Sequence, residues 1–306
     1  METIDLVQVR EFLQNNFDNQ VSAVQHIGTG WWSHAYAFTV GQQSFIVRVS
    51  IFEEDFQKDA FAYRRFSSPT LPIPKVIQIG RFDDTRYFAI TERCAGRIIA
   101  AMDEADIYSI IPELFDIAGE IHRIDVSPFS GWGLTDVYGN GRFESWHQYL
   151  LSLYDQKFTF DLHDLARSTF FELDVYETYL EQMKQLLPYC PSEKYLVHGD
   201  YGFDNVVSDG PKITGVLDWA DDLLGDFIYD IAYLDFWSVE DIPYGALWQN
   251  YAAARGEHVP HFEERMRCYM LYLGLRTLPA AAIKGNRKFY DWTTKRLQSI
   301  MRPGRR

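Results

Sequence analysis

Three polar residues in one short stretch could act together on a substrate. The stretch runs from Tyr195 to Asp226 and reads YLVHGDYGFDNVVSDGPKITGVLDWADDLLGD. Asp200 follows His198 and Gly199, Asn205 lies five residues later, and Asp218 ends the second of two short β-like runs. Those runs, Val206-Val207 and Ile213 to Leu217, are split by the turn signal Asp209-Gly210-Pro211. One carboxylate and one amide are thus expected on a loop, and a second carboxylate at the end of a hairpin strand. Phosphoryl transfer needs an acceptor held in line and a divalent cation against the phosphates. Asp200 could take the proton of an acceptor hydroxyl, while Asn205 and Asp218 hold Mg²⁺. A lone Asp-x4-Asn would fit an ordinary hairpin with turn carboxylates better. The whole order, His-Gly-Asp-x4-Asn, hairpin, Leu-Asp-Trp, favours phosphoryl transfer.

The same order and spacing occur in protein kinases. The stretch resembles the aminoglycoside phosphotransferase family, whose loop reads H-G-D-x-x-x-x-N and whose metal Asp sits in an I/L-D-W strand. Two further segments, FQKDAFAYRRFSSPTLPIPKVIQIGRF at 56–82 and CYMLYLGLRTLPAAAIKGN at 268–286, are similar to parts of the hygromycin B phosphotransferases. The likeness covers most of the chain and is weakest between 127 and 190. It implies a bilobal protein-kinase-like α+β fold, ATP and Mg²⁺ as cofactors, and O-phosphorylation of an aminoglycoside or aminocyclitol, with hygromycin B first and antibiotic resistance as the result. Two rival readings remain. One is a metabolic kinase of the same superfamily, for choline, homoserine, methylthioribose or a sugar. The other is a catalytically dead nucleotide-binding module, which would have no reason to keep both metal ligands. A metal hydrolase would need a further His or carboxylate cluster, and none is evident.

Several upstream elements must position this stretch. Val21 to Gly41 alternates like strands around a glycine-bearing turn, IGTGWWS, the place for a loop over nucleotide phosphates. Gly28 and Gly30 could let the backbone approach a phosphate, and Ser33 could donate to it. The motif by itself reads equally as a plain hairpin turn. Phe45 to Val49, FIVRV, is a strand, and the helix 53–66 follows. Kinases pair a strand Lys with a helix Glu here. This chain offers Arg48 and Asp59, a longer cation with a shorter acid, and the resemblance implies that hygromycin-type enzymes do the same. A surface ion pair is the other reading. Leu71 to Pro74 feeds a strand at 75–79, and Tyr87 to Thr91 is another. In the family, backbone groups at Glu92, Arg93 and Cys94 bond the adenine. The expected division is a nucleotide-binding lobe with five antiparallel strands over 1–95, and a mainly helical catalytic and substrate-binding lobe over 96–306.

Helices are expected at 5–17, with Leu6, Val7, Val9, Phe12 and Leu13 on one face, at 112–124, 143–156, 170–187 and 261–283. Residues 127–142 are turn-rich and read as a loop. His122 reads as a packed histidine, and His258 with His261 lacks a third metal ligand. Asp226 fits the N-cap of a following helix, and the resemblance implies that this helix, with Asp230, braces the catalytic loop. Asp204, Asp221, Asp222 and Asp235 are either solvated acids or contacts for substrate ammonium groups, with Trp237 or Trp132 against sugar rings.

The composition bounds the partners. The chain has 306 residues, 47% hydrophobic, and a net charge of −14. That balance disfavours nucleic acid and anionic membranes, whose phosphates are met by Lys/Arg surfaces, and permits a small cationic, hydroxylated substrate. The three cysteines, with no Cys-x-x-Cys, suggest reduced thiols in a cytoplasm. No apolar leader or membrane-length run is evident, and nothing demands more than a monomer.

Overall fold

The computed structural model describes residues 4–17, 20–153, 160–238 and 242–301. In chain order, the first elements are α1 (Leu6–Asn16), β1 (Val21–Thr29), β2 (Ser33–Val40), β3 (Gln43–Ser50), α2 (Glu53–Phe66), β4 (Val76–Arg81) and β5 (Tyr87–Glu92). Then come β6 (Arg97–Ile98), α3 (Glu104–His122), β7 (Trp132–Thr135), β8 (Gly141–Phe143), α4 (Trp146–Ser152), α5 (Leu162–Ser168) and α6 (Leu173–Leu186). The chain continues with β9 (Tyr195–Val197), β10 (Val206–Ser208), β11 (Ile213–Val216), β12 (Leu223–Gly225), α7 (Ile228–Phe236), α8 (Tyr244–Ala254), α9 (Phe262–Ile283) and α10 (Arg287–Ile300). Two compact units result. The first contains Met1–Ile117, Val137–Gly139 and Phe203–Ala220, and the second the remainder. The boundary expected near residue 95 therefore lies within the first unit by contacts, which also takes in the β10–β11 hairpin.

The first unit is built on a five-stranded sheet of order β1-β2-β3-β5-β4, antiparallel throughout. Strand alternation gives it two different faces. Tyr36, Phe38, Phe45, Val47, Val49, Phe88 and Ile90 point to one face and form a core with Val9 and Leu13 of α1. Ala35, Ile46, Arg48 and Thr91 occupy the alternate positions. Asp5 caps α1, its carboxylate accepting from the Val7 amide at 3.0 Å. Val7 itself is exposed, contrary to its expected place on the apolar face. The β10–β11 hairpin forms as expected, with Val206 opposite Val216, Ser208 opposite Ile213, and Gly210 at φ +116° in the turn.

The second unit combines a short antiparallel sheet, β8-β7-β12-β9, with helices around α9. α9 is buried on nearly every side because α6, α7 and α10 all pack on it. Several expectations are corrected here. Residues 127–142 are not one loop, because β7 and β8 pair within them. Their backbones come so close that a Cβ at Gly131 would lie 2.0 Å from the Gly141 carbonyl oxygen. α3 begins at Glu104, eight residues before Pro112, which sits inside it. Burial of Ile107, Ile110, Ile111 and Leu114 outweighs the proline's cost. Helix α4 ends at Ser152, and the expected extension to 156 runs beyond the described residues. α5, α8 and α10 were not foreseen. Among the described residues, no helix is long and apolar enough to cross a membrane.

A buried polar chain ties this unit together. Trp146 Nε1 donates to the Tyr269 hydroxyl at 3.1 Å, and that hydroxyl donates to Asp226. Burial, then the Asp226 charge, raises the Tyr269 pKa well above the ordinary phenol value, so it remains a donor. Asp226 also takes Arg265 in a two-pronged pair, with Nε to Oδ2 at 2.8 Å. Asp226 accepts from the Ile228 amide at 3.1 Å, but it stands one residue before the N-cap, which is Phe227 rather than the expected Asp226. Replacing Arg265 by Met would leave the buried carboxylate without its cation. The expected loss is about 3–5 kcal/mol of unfolding free energy, measured as a lowered denaturant midpoint.

Candidate active site

The first unit contains a cavity of about 410 Å³. Gly28, Gly30, Ser33, Arg48, Asp59, Glu92, Arg93, Cys94, Asp204, Asn205 and Asp218 all line it. The sheet face opposite α1 forms one wall, and the β10–β11 hairpin supplies Asn205 and Asp218. Gly30 N donates to Ser33 O at 2.9 Å, closing the turn between β1 and β2. A Cβ at Gly28 would meet nothing within 4 Å, so the strand is open there to an approaching group. The Glu92 and Arg93 amides are already used, donating to Lys75 O at 3.0 Å and Ser44 O at 3.2 Å. A base could therefore use carbonyls of this segment or the Cys94 amide, but not those two N–H groups.

Asn205 and Asp218 sit side by side at the open end of the hairpin. Leu217 N donates to Asn205 O at 2.7 Å, which continues the ladder one pair beyond Val206 and Val216. Asp218 adopts φ +58°, a left-handed conformation that costs a non-glycine residue about 1–2 kcal/mol, somewhat less for Asp. The surroundings compensate. Asp59 Oδ1 accepts from the Trp219 amide at 2.8 Å, and its other oxygen takes Arg48 Nη2. The second guanidinium arm, Nη1, lies 3.6 Å from Asp218 Oδ2. Arg48 and Asp59 are thus a largely buried pair rather than a surface one, with side chains 17% and 7% exposed.

Asp200 belongs to the second unit, on the loop after β9. Asp230 of α7 holds this loop by accepting from His198 N at 3.0 Å and Gly199 N at 2.9 Å, with His122 Nε2 at 2.9 Å on the same carboxylate. Gly199 has φ +81°, and a Cβ there would come 2.0 Å from the Asp221 carbonyl oxygen, so the middle residue of His-Gly-Asp must be glycine. The Tyr233 hydroxyl donates to Asp200 Oδ1. Burial, then the Asp200 charge, raises the Tyr233 pKa well above the phenol value and keeps it a donor, and Asp221 adds to the effect. Asp200, Tyr233 and Asp221 therefore share one electrostatic neighbourhood.

The other acidic candidates differ in their commitments. Asp204 is exposed beside the cavity. Asp222 is 3% exposed and accepts from the Thr135 hydroxyl at 2.5 Å. Asp235 accepts from Gly245 N at 2.9 Å at the start of α8, with Arg296 Nη2 at 3.7 Å. Trp237 stacks on Trp292, centroids 5.4 Å apart, and on Phe289 at 5.8 Å. Trp132 carries Lys194 Nζ over its ring at 5.2 Å. Tyr233 was missed by sequence reasoning, and His122 was read only as packing. The one available signal was for Tyr233, which lies three residues after Asp230 on a helix and so shares its face.

The family model for phosphotransferase enzymes matches residues 23–265. The chain belongs to this phosphotransferase enzyme family. It is 29% identical over 308 aligned residues to the hygromycin-B 4-O-kinase of Escherichia coli, covering 97% of this chain and 85% of that protein. The crystal structure of the aminoglycoside phosphotransferase APH(4)-Ia superposes with a TM-score of 0.84 at 27% identity, covering 98% of this chain and 99% of that one. A thermostable mutant of that protein, solved as a ternary complex with AMP-PNP and hygromycin B, gives 0.82 at 27% identity over 96% of this chain and 97% of that one. The fold is the α+β, protein-kinase-like one of these enzymes.

Cys94 provides a chemical test of the cavity's interior. Burial, then the nearby Glu92 charge, pushes its thiol up to about 11. Only about 10⁻⁴ of it is thiolate at pH 7. Iodoacetamide labelling of Cys94, followed by mass spectrometry, should be slow at pH 7 and rise about tenfold per pH unit until near 11.

Proposed function

We propose that this phosphotransferase moves the γ-phosphoryl group of ATP to a hydroxyl of an aminoglycoside, with hygromycin B as the first acceptor to test, and that it thereby confers resistance. The observation that carries the acceptor is the likeness to a hygromycin-B 4-O-kinase along nearly the whole chain. The nucleotide is placed in the cavity of the first unit, consistent with the expected nucleotide-binding role of 1–95 joined by the hairpin. The acceptor is assigned to the part expected over 96–306, which holds both Asp200 and Asp204.

The donor chemistry fits Mg²⁺. Asn205 and Asp218 offer two neighbouring hard oxygen ligands on the cavity, and Mg²⁺ usually takes few protein ligands beside phosphates and waters. Bound Mg·ATP would supply the phosphoryl group and neutralise the charge that develops on it. The chain's residues do the rest. Arg48, oriented by Asp59, directs its second arm, which lies 3.6 Å from Asp218, to the phosphates. Gly28 leaves the strand open to them and Ser33 offers its hydroxyl, while the Gly30 amide closes the turn. Asp200, oriented by Tyr233 and the braced loop, accepts the acceptor's proton. Among the acids, Asp204, exposed at the cavity, suits a substrate ammonium group better than Asp222 and Asp235, whose carboxylates accept from the Thr135 hydroxyl and the Gly245 amide.

Asp200→Asn should lower kcat for hygromycin B phosphorylation by about 10²–10⁴-fold while leaving Mg·ATP affinity in place. Asp218→Ala should weaken Mg·ATP binding in calorimetry as well as abolish turnover. Saturating Mg·ATP should also protect Cys94 from alkylation. Expression of the wild type, but not Asp200→Ala, should protect a sensitive bacterium from hygromycin B. Turnover of choline or a neutral sugar, with no phosphorylated hygromycin B by mass spectrometry, would favour a metabolic kinase instead.

A further inference from the structure

Lys58 has no role in the account above, although it is 2% exposed. Its ammonium donates to the Ala220 carbonyl oxygen at 2.5 Å. The next residue, Asp59, accepts from the Trp219 amide at 2.8 Å. Neighbouring residues of α2 therefore hold the turn Trp219–Asp221 at its two ends, Asp59 accepting from the peptide that enters it and Lys58 donating to the peptide between Ala220 and Asp221. Side chains at successive helix positions diverge by about 100°, so the two approach the turn from different sides. The turn begins one residue after Asp218, the residue in the left-handed conformation. Burying an ammonium is costly unless it makes strong hydrogen bonds, and methionine would fill similar volume without that cost. Packing alone does not call for lysine.

We propose that Lys58 is a positioning residue for Asp218: its bond to Ala220, together with the Asp59 bond to Trp219, fixes the turn that keeps the Asp218 carboxylate directed at the cavity. This rests on the reading of Asp218 as a metal ligand. The helix that orients Arg48 through Asp59 then also sets the metal-binding carboxylate. Cation and carboxylate are placed by one dipeptide, Lys58-Asp59, rather than by two independent contacts.

The test uses the whole chain with Mn²⁺ and ADP as probes. In Lys58→Met, the dissociation constant of Mn²⁺·ADP, measured by electron paramagnetic resonance, should rise about tenfold, near the lower end of what a charge-assisted hydrogen bond contributes. Affinity for metal-free ADP and for hygromycin B, measured by calorimetry, should stay the same. Hydrogen exchange at the Trp219 amide should accelerate. A merely structural role would lower the melting temperature without separating metal-dependent from metal-independent nucleotide binding. Asp218→Asn serves as the control. If it weakens Mn²⁺·ADP and Lys58→Met does not, the role of Lys58 is wrong and the metal reading stands. If Asp218→Asn has no effect, the metal reading itself fails, and this proposal with it. Should Lys58→Met fold poorly, Lys58→Gln, neutral and too short to keep the 2.5 Å contact, is measured in the same way, and wild-type Mn²⁺·ADP affinity in that variant overturns the proposal.

Discussion

The first unit depends on the two oxygens of one carboxylate. Asp59 takes the Arg48 guanidinium on one and the Trp219 amide on the other, and so joins α2, β3 and the end of the β10–β11 hairpin. The group is only 5% exposed, where an unmade bond to a charge is costly, so the three elements are held or lost together. The arrangement also explains the choice of arginine over the lysine usual in kinases. One arm of the guanidinium reaches Asp59 while the other lies 3.6 Å from Asp218. A planar fork can address two carboxylates at fixed geometry, whereas an ammonium is a single compact charge.

The second unit uses the same device twice. Asp230 accepts two successive loop amides and a histidine, which fixes the backbone from which Asp200 projects. Asp226 gathers Arg265, Tyr269 and the Ile228 amide into one buried group. Both belong to the segment that opens α7, so the helix that braces the loop is anchored to α9 at its start. Rigid support of this kind suits a reaction in which the protein contributes chiefly position and electrostatics.

The resemblance of the family is strong at the level of parts, and the parts are held by contacts that the motif does not contain. Asp200, Asn205 and Asp218 are all in the familiar stretch, yet Asp200 is steadied by Asp230 and Tyr233, and Asp218 by Asp59 and Lys58. The chain has a TM-score of 0.84 with APH(4)-Ia at 27% identity. Fold is preserved by the volume and polarity of partners rather than by their names.

The sequence by itself determined the elements whose signal is local. The five strands were readable because alternation in FIVRV and its neighbours separates a core face from a second face. The β10–β11 hairpin was readable from its turn residues, and α2 from its ends, which the structure places at Glu53 and Phe66 as expected. The Arg48–Asp59 pairing was expected from the family resemblance, and the structure contains it. Tertiary structure alone decided which polar residues are spent on the protein itself. Nothing local distinguishes Asp222, buried against Thr135, from Asp204, exposed at the cavity. Lys58 meets Ala220 across 162 residues, and His122 meets Asp230 across 108. A contact of that span leaves no periodicity in the chain, because its partners are brought together only when the surrounding core closes. For the same reason α8 and α10 were not foreseen. Each is a helix whose packing partners, α7 and α9, come from other parts of the chain, and burial against them supplies most of the stability that a short helix lacks alone.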